Sequence, residues 1–164
     1  MILFITVTSN CNLNCYGCMM GCFKNDLFNY QIDKDILSNN LKILQEKTDL
    51  ISEIVLTGGE PLLHPNIKEI CTIIKTIYPN LPLTIFTNGI SISSFTKSDF
   101  LFFSNLNIDF SISFYPDKIL YNSIKSNIHL LKKNKCKVME EEKSRPLFFK
   151  NGIVKNKHNS NKMQ

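Results

Sequence analysis

The sequence contains no hydrophobic run long enough to cross a membrane and no secretory signature. The apolar residues 2–5 follow Met1 directly, with no basic segment before them, and form a run far shorter than a signal-peptide core or a membrane span. We therefore expect a cytoplasmic protein that does not contact a membrane and whose thiols stay reduced. Disulfides among its six cysteines are not expected.

Acidic residues are missing from residues 143–164, which hold six of the 19 lysine and arginine residues. The other 13 basic residues are matched by 14 acidic ones in residues 1–142, so the body is nearly neutral although the formal net charge is +5. Because the basicity belongs to a terminal segment, we do not expect a nucleic-acid partner.

The length of 164 residues predicts one domain, and its 43% hydrophobic content is ordinary for a globular chain. We assign residues 1–140 to this core domain and residues 141–164 to a basic, partly disordered tail. Within the tail, residues 147–154 are apolar enough to pack against the open edge of the fold or a partner. Residues 155–162 have no apolar side chain to bury, so we predict that residues 156–164 are disordered and dispensable.

Strand-like and helical runs alternate along the chain. Strands are predicted at Ile2–Thr8, residues 54–57, Leu83–Thr87, residues 108–114 and, more weakly, residues 136–139. Helices are predicted after Asp33, from Pro65, over residues 95–103 and from Pro116 and Asp117, with Cys71 as a core residue of the second helix. This alternation predicts an α/β fold built from right-handed βαβ units with a parallel sheet.

Three cysteines follow the first strand with the spacing C-x3-C-x2-C. They are Cys11, Cys15 and Cys18. A [4Fe–4S] cluster normally takes four cysteine ligands, so three would leave one iron open, and an open coordination position is typical of a metal site that does chemistry. Gly58, Gly59 and Glu60 follow the second strand, and Asn88 follows the third. Since ligands bind at the carboxyl ends of parallel strands, these residues predict one composite site.

Two other metal sites compete with this interpretation. Cys22 would supply a fourth ligand for a zinc site or a ferredoxin-type cluster. Zinc sites made from cysteine pairs usually place roughly 12–20 residues between the pairs, whereas all four cysteines here lie in one short stretch. Bacterial ferredoxins use a two-residue first gap and a proline after the last cysteine, and here Phe23 follows Cys22. The spacing therefore favours three ligands, with Cys22 as a bystander.

The cysteine motif and the run from Thr57 to Pro61, in this order and each after a strand, resemble the radical S-adenosylmethionine (SAM) superfamily over about residues 2–139. The resemblance implies a partial (β/α)6 TIM-like barrel with parallel strands, incomplete because only about five strands can be counted. It implies a [4Fe–4S] cluster on Cys11, Cys15 and Cys18 whose open iron binds SAM. It also implies reductive cleavage of SAM to a 5′-deoxyadenosyl radical, which abstracts hydrogen from a substrate.

The resemblance further implies which residues bind the cofactor. The set is Gly17, Gly58, Gly59, Glu60, Asn88, Ser111 and Ser113. Glu60 would meet the ammonium group of SAM, and the two serines would meet its ribose or carboxylate, unless they merely fill a narrow barrel. Asn88 with Gly89 is also an ordinary turn pair. Gly17 stands where the family usually has an aromatic residue near the adenine, so only its backbone would serve there.

The resemblance implies a reducing partner such as flavodoxin or ferredoxin and a small-molecule or peptide substrate that the sequence does not identify. Three alternatives stay open. One is a non-catalytic iron–sulfur or zinc module closed by Cys22, and another is a truncated, inactive remnant of a radical SAM protein. The third is an activating enzyme for a glycyl-radical enzyme of the anaerobic ribonucleotide reductase type, because short relatives of that kind also have glycine at the position of Gly17.

Overall fold

The computed structural model describes residues 1–15, 18, 20–22, 29–115, 117–140 and 154–156. Seven strands and four α-helices lie in these residues. The strands are β1 (Ile2–Thr8), β2 (Leu13–Cys15), β3 (Glu53–Gly58), β4 (Leu83–Thr87), β5 (Ile108–Ile112), β6 (Lys137–Glu140) and β7 (Val154–Asn156). The helices are α1 (Lys34–Lys47), α2 (Ile67–Ile77), α3 (Lys97–Asn105) and α4 (Lys118–Lys133). Among the described residues no helix is long and apolar enough to cross a membrane.

Five of the strands form one parallel sheet in the order β1-β3-β4-β5-β6. Strands that are neighbours in this sheet also follow one another along the chain, and one α-helix connects each pair. The sheet is therefore built by repeating one strand–helix step in the same direction. Such right-handed steps place all helices on one face of the sheet and produce a partial barrel. The predicted α/β class and incomplete parallel barrel are confirmed.

The hydrophobic core lies between this sheet and its helices. Alternate strand residues point into it, for example Ile54 and Leu56 in β3, because side chains on a strand alternate between its faces. Ile70, Cys71 and Ile74 of α2 are buried against them, which confirms that Cys71 is a core residue. The other set of strand side chains faces the interior of the partial barrel, and Phe4 on the edge strand is 56% exposed there.

The helix starts follow from local capping. Asp33 accepts hydrogen bonds from the backbone N–H groups of Asp35 and Ile36, which fixes the start of α1 as predicted. Asp117 caps α4 in the same way through the N–H of Leu120. Pro116, which we also predicted at the start of this helix, lies outside the described residues.

Three predicted boundaries differ from the structure. Pro65 does not lie in the first turn of α2, because a short turn follows it and the helix begins at Ile67. The third helix starts at Lys97, two residues after the predicted start, because Thr96 and Asp99 form a reciprocal capping box there. The strand expected over residues 108–114 ends at Ile112, although the N–H of Ser113 still donates to the carbonyl of Thr87 at 3.0 Å.

A second, antiparallel pair of strands lies at the cysteine loop. β2 contains Cys15, and β7 pairs with it so that Cys15 lies opposite Val154 and Leu13 lies opposite Asn156. Asn156, which we expected to begin an unstructured segment, is therefore the last residue of a strand. The rest of the predicted tail, residues 141–153 and 157–164, lies outside the described residues.

Candidate functional site

The segments that carry the two motifs are joined backbone to backbone at the carboxyl edge of the sheet. The N–H of Gly59 donates to the carbonyl of Thr8, and the N–H of Glu60 donates to the carbonyl of Asn10, both at 2.7 Å. Since Cys11 follows Asn10 directly, these two bonds fix the start of the cysteine loop against the Gly-Gly-Glu loop. The structure thus brings together two motifs that lie about 40 residues apart in sequence.

The two glycines are required by this close approach. A Cβ atom on Gly58 would lie 2.3 Å from the carbonyl oxygen of Thr8, and a Cβ on Gly59 would lie 2.3 Å from that of Asn10. Gly58 also has φ of +145°, which side-chain-bearing residues rarely adopt. We expected these glycines to let the backbone approach a ligand, and the structure adds a different reason, which is contact between the two loops.

Glu60 is neither a surface residue nor exposed to solvent in this arrangement. Its side chain is 0% exposed, and its carboxylate accepts hydrogen bonds from Thr87 Oγ1 at 2.7 Å, the N–H of Asn88 at 2.7 Å and the N–H of Leu62 at 3.1 Å. Burial raises the pKa of Glu60 to about 7, although these three bonds act in the opposite direction. A carboxylate offers about four acceptor positions, so one is left for a further donor such as an ammonium group.

Asn88 connects three parts of the site. Its backbone N–H donates to Glu60, its side-chain oxygen accepts from the N–H of Ile90 at 3.0 Å, and its side-chain nitrogen donates to Asn12 Oδ1 at 2.7 Å. The same nitrogen lies 3.9 Å from the sulfur of Cys11. Asn88 thus lies beside the cysteine loop and links it to Glu60, while its contact with a cofactor stays a prediction.

The three cysteines of the motif are half-buried on one loop. Burial raises the pKa of the Cys15 thiol to about 11, and the neighbouring thiols of Cys11 and Cys18 contribute to this rise because the three would carry like charges. Two nitrogens donate to Cys11, namely the N–H of Leu13 at 3.4 Å and the amide of Asn88. Cys15 is therefore near enough to both Cys11 and Cys18 for their charges to affect its pKa.

Cys22 lies next to Cys18 and is buried. A hydrogen bond from the Cys22 thiol, together with the backbone N–H groups of Cys22, Met20 and Gly21, lowers the pKa of Cys18 to about 5, although burial opposes this. Several donors directed at one sulfur stabilise a thiolate, which is the form that binds metal. The contact also places the candidate fourth cysteine beside the third.

The donor set fits a cluster with three protein ligands. Three thiols share one loop, and N–H groups are directed at the sulfurs of Cys11 and Cys18, as at iron–sulfur sites. As they stand, no three or more His, Cys, Asp or Glu side chains of the described residues form a group that could hold a metal ion. The polar edge formed by Glu60 and Asn88 adjoins these thiols through Cys11.

The structure places the remaining predicted residues at different levels of the barrel. Ser111 is buried within β5, opposite Phe86 in the neighbouring strand. Ser113, just beyond the end of β5, is half-buried at the level of Thr87. Gly17 lies outside the described residues.

Sequence reasoning gave Tyr115, Thr87 and Asn12 no firm role. Tyr115 is half-buried, and burial of its hydroxyl raises its pKa, to which the nearby Cys15, Cys11 and Glu60 also contribute. Thr87 holds Glu60, and Asn12 holds Asn88. The position of Thr87 before Asn88 was a usable signal, whereas Asn12 carried none beyond its place next to Cys11.

Comparison with known proteins agrees with this geometry. The sequence profile of the Radical SAM superfamily matches residues 5–138, which is most of the chain. The chain belongs to this superfamily. A relative from Syntrophomonas wolfei, a GTP 3',8-cyclase, is 30% identical over 139 residues, or 83% of this chain and 41% of the relative. A GTP 3',8-cyclase of Campylobacter jejuni subsp. doylei is 34% identical over 98 residues, 58% of this chain and 29% of the relative.

Solved structures of other radical SAM proteins share the fold. Native anSMEcpe with bound AdoMet superimposes with a TM-score of 0.66 at 20% identity, covering 85% of this chain and 44% of that protein. BtrN in complex with AdoMet and 2-DOIA gives a TM-score of 0.58 at 21% identity, covering 85% and 55%. Radical SAM proteins use a [4Fe–4S] cluster and SAM, and both structures hold SAM. This radical SAM chain spans less than half the length of the cyclases it matches.

Proposed function

We propose that this chain is a radical SAM enzyme whose catalytic core binds a [4Fe–4S] cluster through Cys11, Cys15 and Cys18. The observation that supports this most directly is the pair of backbone hydrogen bonds that join Gly59 and Glu60 to the segment leading into Cys11. They bring three thiols and a buried carboxylate to one edge of a parallel sheet. In the superfamily the cluster supplies the electron that cleaves SAM into methionine and a 5′-deoxyadenosyl radical, which then abstracts hydrogen from a substrate.

The contacts of Glu60, Thr87 and Asn88 support the roles that we propose for the residues at this edge. The remaining acceptor position of Glu60 suits the ammonium group of SAM, because a charge-assisted bond to a buried carboxylate is strong. Thr87 and Asn88 hold that carboxylate in one orientation. Ser113 at the same level suits a hydroxyl contact to the SAM ribose or carboxylate, and Ser111 lies one step deeper. The backbone of Gly17 would adjoin the adenine.

The protein would position the cofactor and exclude water from it, since the bond chemistry belongs to the cofactor. Tyr115 follows β5 by three residues, and the charges of Cys15 and Glu60 contribute to its raised pKa, which supports a place for it beside the site. A one-electron donor such as flavodoxin or ferredoxin would supply the reducing equivalent. The matched relatives are GTP 3',8-cyclases, but they are more than twice as long, so the proposal is limited to SAM cleavage and leaves the hydrogen donor to experiment.

Anaerobic reconstitution with iron and sulfide, followed by dithionite and SAM, tests the proposal. We expect cluster absorbance in the visible range and release of 5′-deoxyadenosine. Cys15→Ala should abolish both, while Cys71→Ala, which removes a buried cysteine from the core far from the loop, should keep both. A Cys15→Ala variant with an intact cluster and full product formation would refute the assignment. A wild-type cluster that binds SAM without cleaving it would identify an inactive remnant instead.

One observation favours a second candidate function, a non-catalytic metal module. The Cys22 thiol is a hydrogen-bond partner of Cys18, so a fourth cysteine lies beside the third. In such a module SAM would leave the electronic spectrum of the cluster unchanged. In a radical SAM enzyme with the cluster on Cys11, Cys15 and Cys18, added SAM would change that spectrum.

A further inference from the structure

We propose that Asn88 is a positioning residue for the cluster and that its side-chain N–H, directed at the sulfur of Cys11, raises the reduction potential of the cluster. The inference rests on the proposed function, because it assumes a cluster on Cys11. It goes beyond that function by assigning control of the potential to a residue that is not a ligand.

The orientation of the Asn88 amide is fixed by its partners. Its side-chain oxygen must accept from the N–H of Ile90, because turning the amide over would place two donors against each other. The NH₂ group therefore points towards Asn12 Oδ1 at 2.7 Å and the Cys11 sulfur at 3.9 Å. An NH₂ group has two hydrogens, so one serves each acceptor.

The backbone around Asn88 is equally constrained. Its N–H is bound by the buried carboxylate of Glu60, and the next residue, Gly89, has φ of +75°, which allows the sharp turn after β4. Asn127 of α4 donates to the carbonyl of Gly89 at 2.8 Å in a buried contact. The donor is thus held in place before any cluster binds, so it needs no reorganisation when charge arrives.

Burial makes this donor effective. Asn88 is only 4% exposed, so little water competes for its N–H group. An N–H dipole directed at a ligand sulfur stabilises the reduced cluster more than the oxidised one, because the reduced cluster carries one more negative charge. Hydrogen bonds to cluster sulfurs are one of the established factors that set the potential. Removing the donor should therefore lower the potential.

Asn88→Ser is the most informative variant. A serine hydroxyl still reaches the N–H two residues on, so the bond to Ile90 is kept, but the shorter side chain no longer reaches Cys11. Asn88→Asp keeps the shape and replaces the donor with a negative charge beside the sulfur. Asn40→Asp, on the exposed face of α1, adds the same charge far from the site and is the matched control.

The readout is the reduction potential of the reconstituted full chain, followed by visible absorbance and electron paramagnetic resonance during an anaerobic redox titration. We expect Asn88→Ser to lower the ratio of reduced to oxidised cluster at a fixed potential about tenfold, which is about 59 mV for a one-electron couple. Asn88→Asp should lower the reduction potential further, and Asn40→Asp should leave the reduction potential unchanged. Fully assembled clusters with the wild-type potential in both Asn88 variants would overturn the proposal.

A residue that only supported the fold would reduce cluster content without changing the potential of the clusters that form. If the Asn88 variants assemble no cluster, Asn12→Ser decides, because it withdraws the acceptor that holds the Asn88 NH₂ group beside Cys11 and leaves Asn88 itself and its bond from Ile90 in place. A smaller fall in potential supports the proposal, and an unchanged potential overturns it. Failure of the wild-type chain to assemble a cluster would instead refute the proposed function, so the two outcomes are distinguishable.

Discussion

Thr87 donates its hydroxyl hydrogen to Glu60 Oε1 at 2.7 Å, in a buried contact between residues 27 positions apart in the chain. The same hydroxyl oxygen accepts from the N–H of Gly89 at 2.9 Å. The hydroxyl thus links the carboxylate of the Gly-Gly-Glu loop to the turn that carries Asn88. Its removal would leave two buried polar groups each short of one partner.

Thr87→Val should therefore destabilise the protein by about 1–3 kcal/mol, the usual effect of leaving buried polar groups unsatisfied. Valine has nearly the shape of threonine, so the loss reports the hydroxyl rather than the volume. Urea unfolding of the wild type, Thr87→Val and Thr87→Ser would measure it, with Thr87→Ser as the control that keeps the hydroxyl. Equal stability of the valine variant and the wild type would show that the contact contributes nothing.

The raised pKa of Glu60 predicts how stability depends on pH. In the folded protein this pKa is about 7, whereas the ordinary value is 4.5, so the folded state holds the proton more tightly than the unfolded state. The contribution of Glu60 to stability is then fully present below about pH 4.5 and is lost as pH rises through 7.

Glu60→Gln removes this titration, so the difference in unfolding free energy between the wild type and the variant should shrink as pH rises from about 5 to about 8. Three groups donate to Glu60, namely the N–H groups of Leu62 and Asn88 and the Thr87 hydroxyl. Glutamine accepts only at its terminal oxygen, so at least one of these donors loses its partner. The variant should therefore be less stable than the wild type at low pH. Denaturant unfolding at several pH values measures both curves. Parallel curves would contradict the raised pKa.

The backbone contact at Gly59 predicts a large effect of one methyl group. Gly59→Ala would place its Cβ 2.3 Å from the carbonyl oxygen of Asn10, so either the Gly-Gly-Glu loop or the cysteine loop must shift. We expect a loss of about 3 kcal/mol or more, together with reduced cluster content.

Gly21→Ala is the matched control, because its Cβ would have no atom within 4 Å and only its φ of +64° opposes the change. That strain costs about 1–2 kcal/mol. Urea unfolding would compare the stability of the two variants, and iron analysis would compare Gly59→Ala with the wild type. A Gly59→Ala variant as stable as Gly21→Ala would mean that the two loops do not approach as closely as the structure shows.

The arrangement of Cys18 and Cys22 separates the two candidate functions. If Cys22 only donates to Cys18, Cys22→Ser keeps a donor at that place and should retain the cluster, whereas Cys11→Ser should lose it. Iron and sulfide content after anaerobic reconstitution measures both variants. Equal loss in both would favour a four-cysteine module.

Much of the fold was predictable from the sequence because each strand is a short apolar run and most helices have a periodic apolar face. The run Leu83–Thr87, for example, is β-branched and aromatic in composition, lies between turn residues, and matches β4 from end to end. The predicted ends of helices and strands were less accurate where a residue is compatible with two local structures. Pro65 suits a first helical turn, but the backbone there turns once more before Ile67.

The site was predictable as a set of neighbours but not as a set of contacts. Parallel strands bring Cys11, Glu60 and Asn88 to one edge whatever their side chains do. The burial of Glu60 and the close approach of Gly59 to Asn10 depend on how two loops pack, and no local pattern in the sequence encodes that distance.

The pairing of β7 with β2 predicts where the chain can be shortened. Cys15 lies opposite Val154 and Leu13 lies opposite Asn156, so the ladder holds the backbone between two cluster cysteines. Each ladder hydrogen bond contributes roughly 0.5–1.5 kcal/mol, and the loop has no other regular structure to replace it among the described residues.

A chain that ends at Asn156 should therefore assemble its cluster as the full chain does. A chain that ends at residue 153 should bind less iron and exchange the amide hydrogens of Leu13–Cys15 faster. Iron analysis and hydrogen exchange on the two truncations measure this, and equal results would show that β7 does not support the cysteine loop.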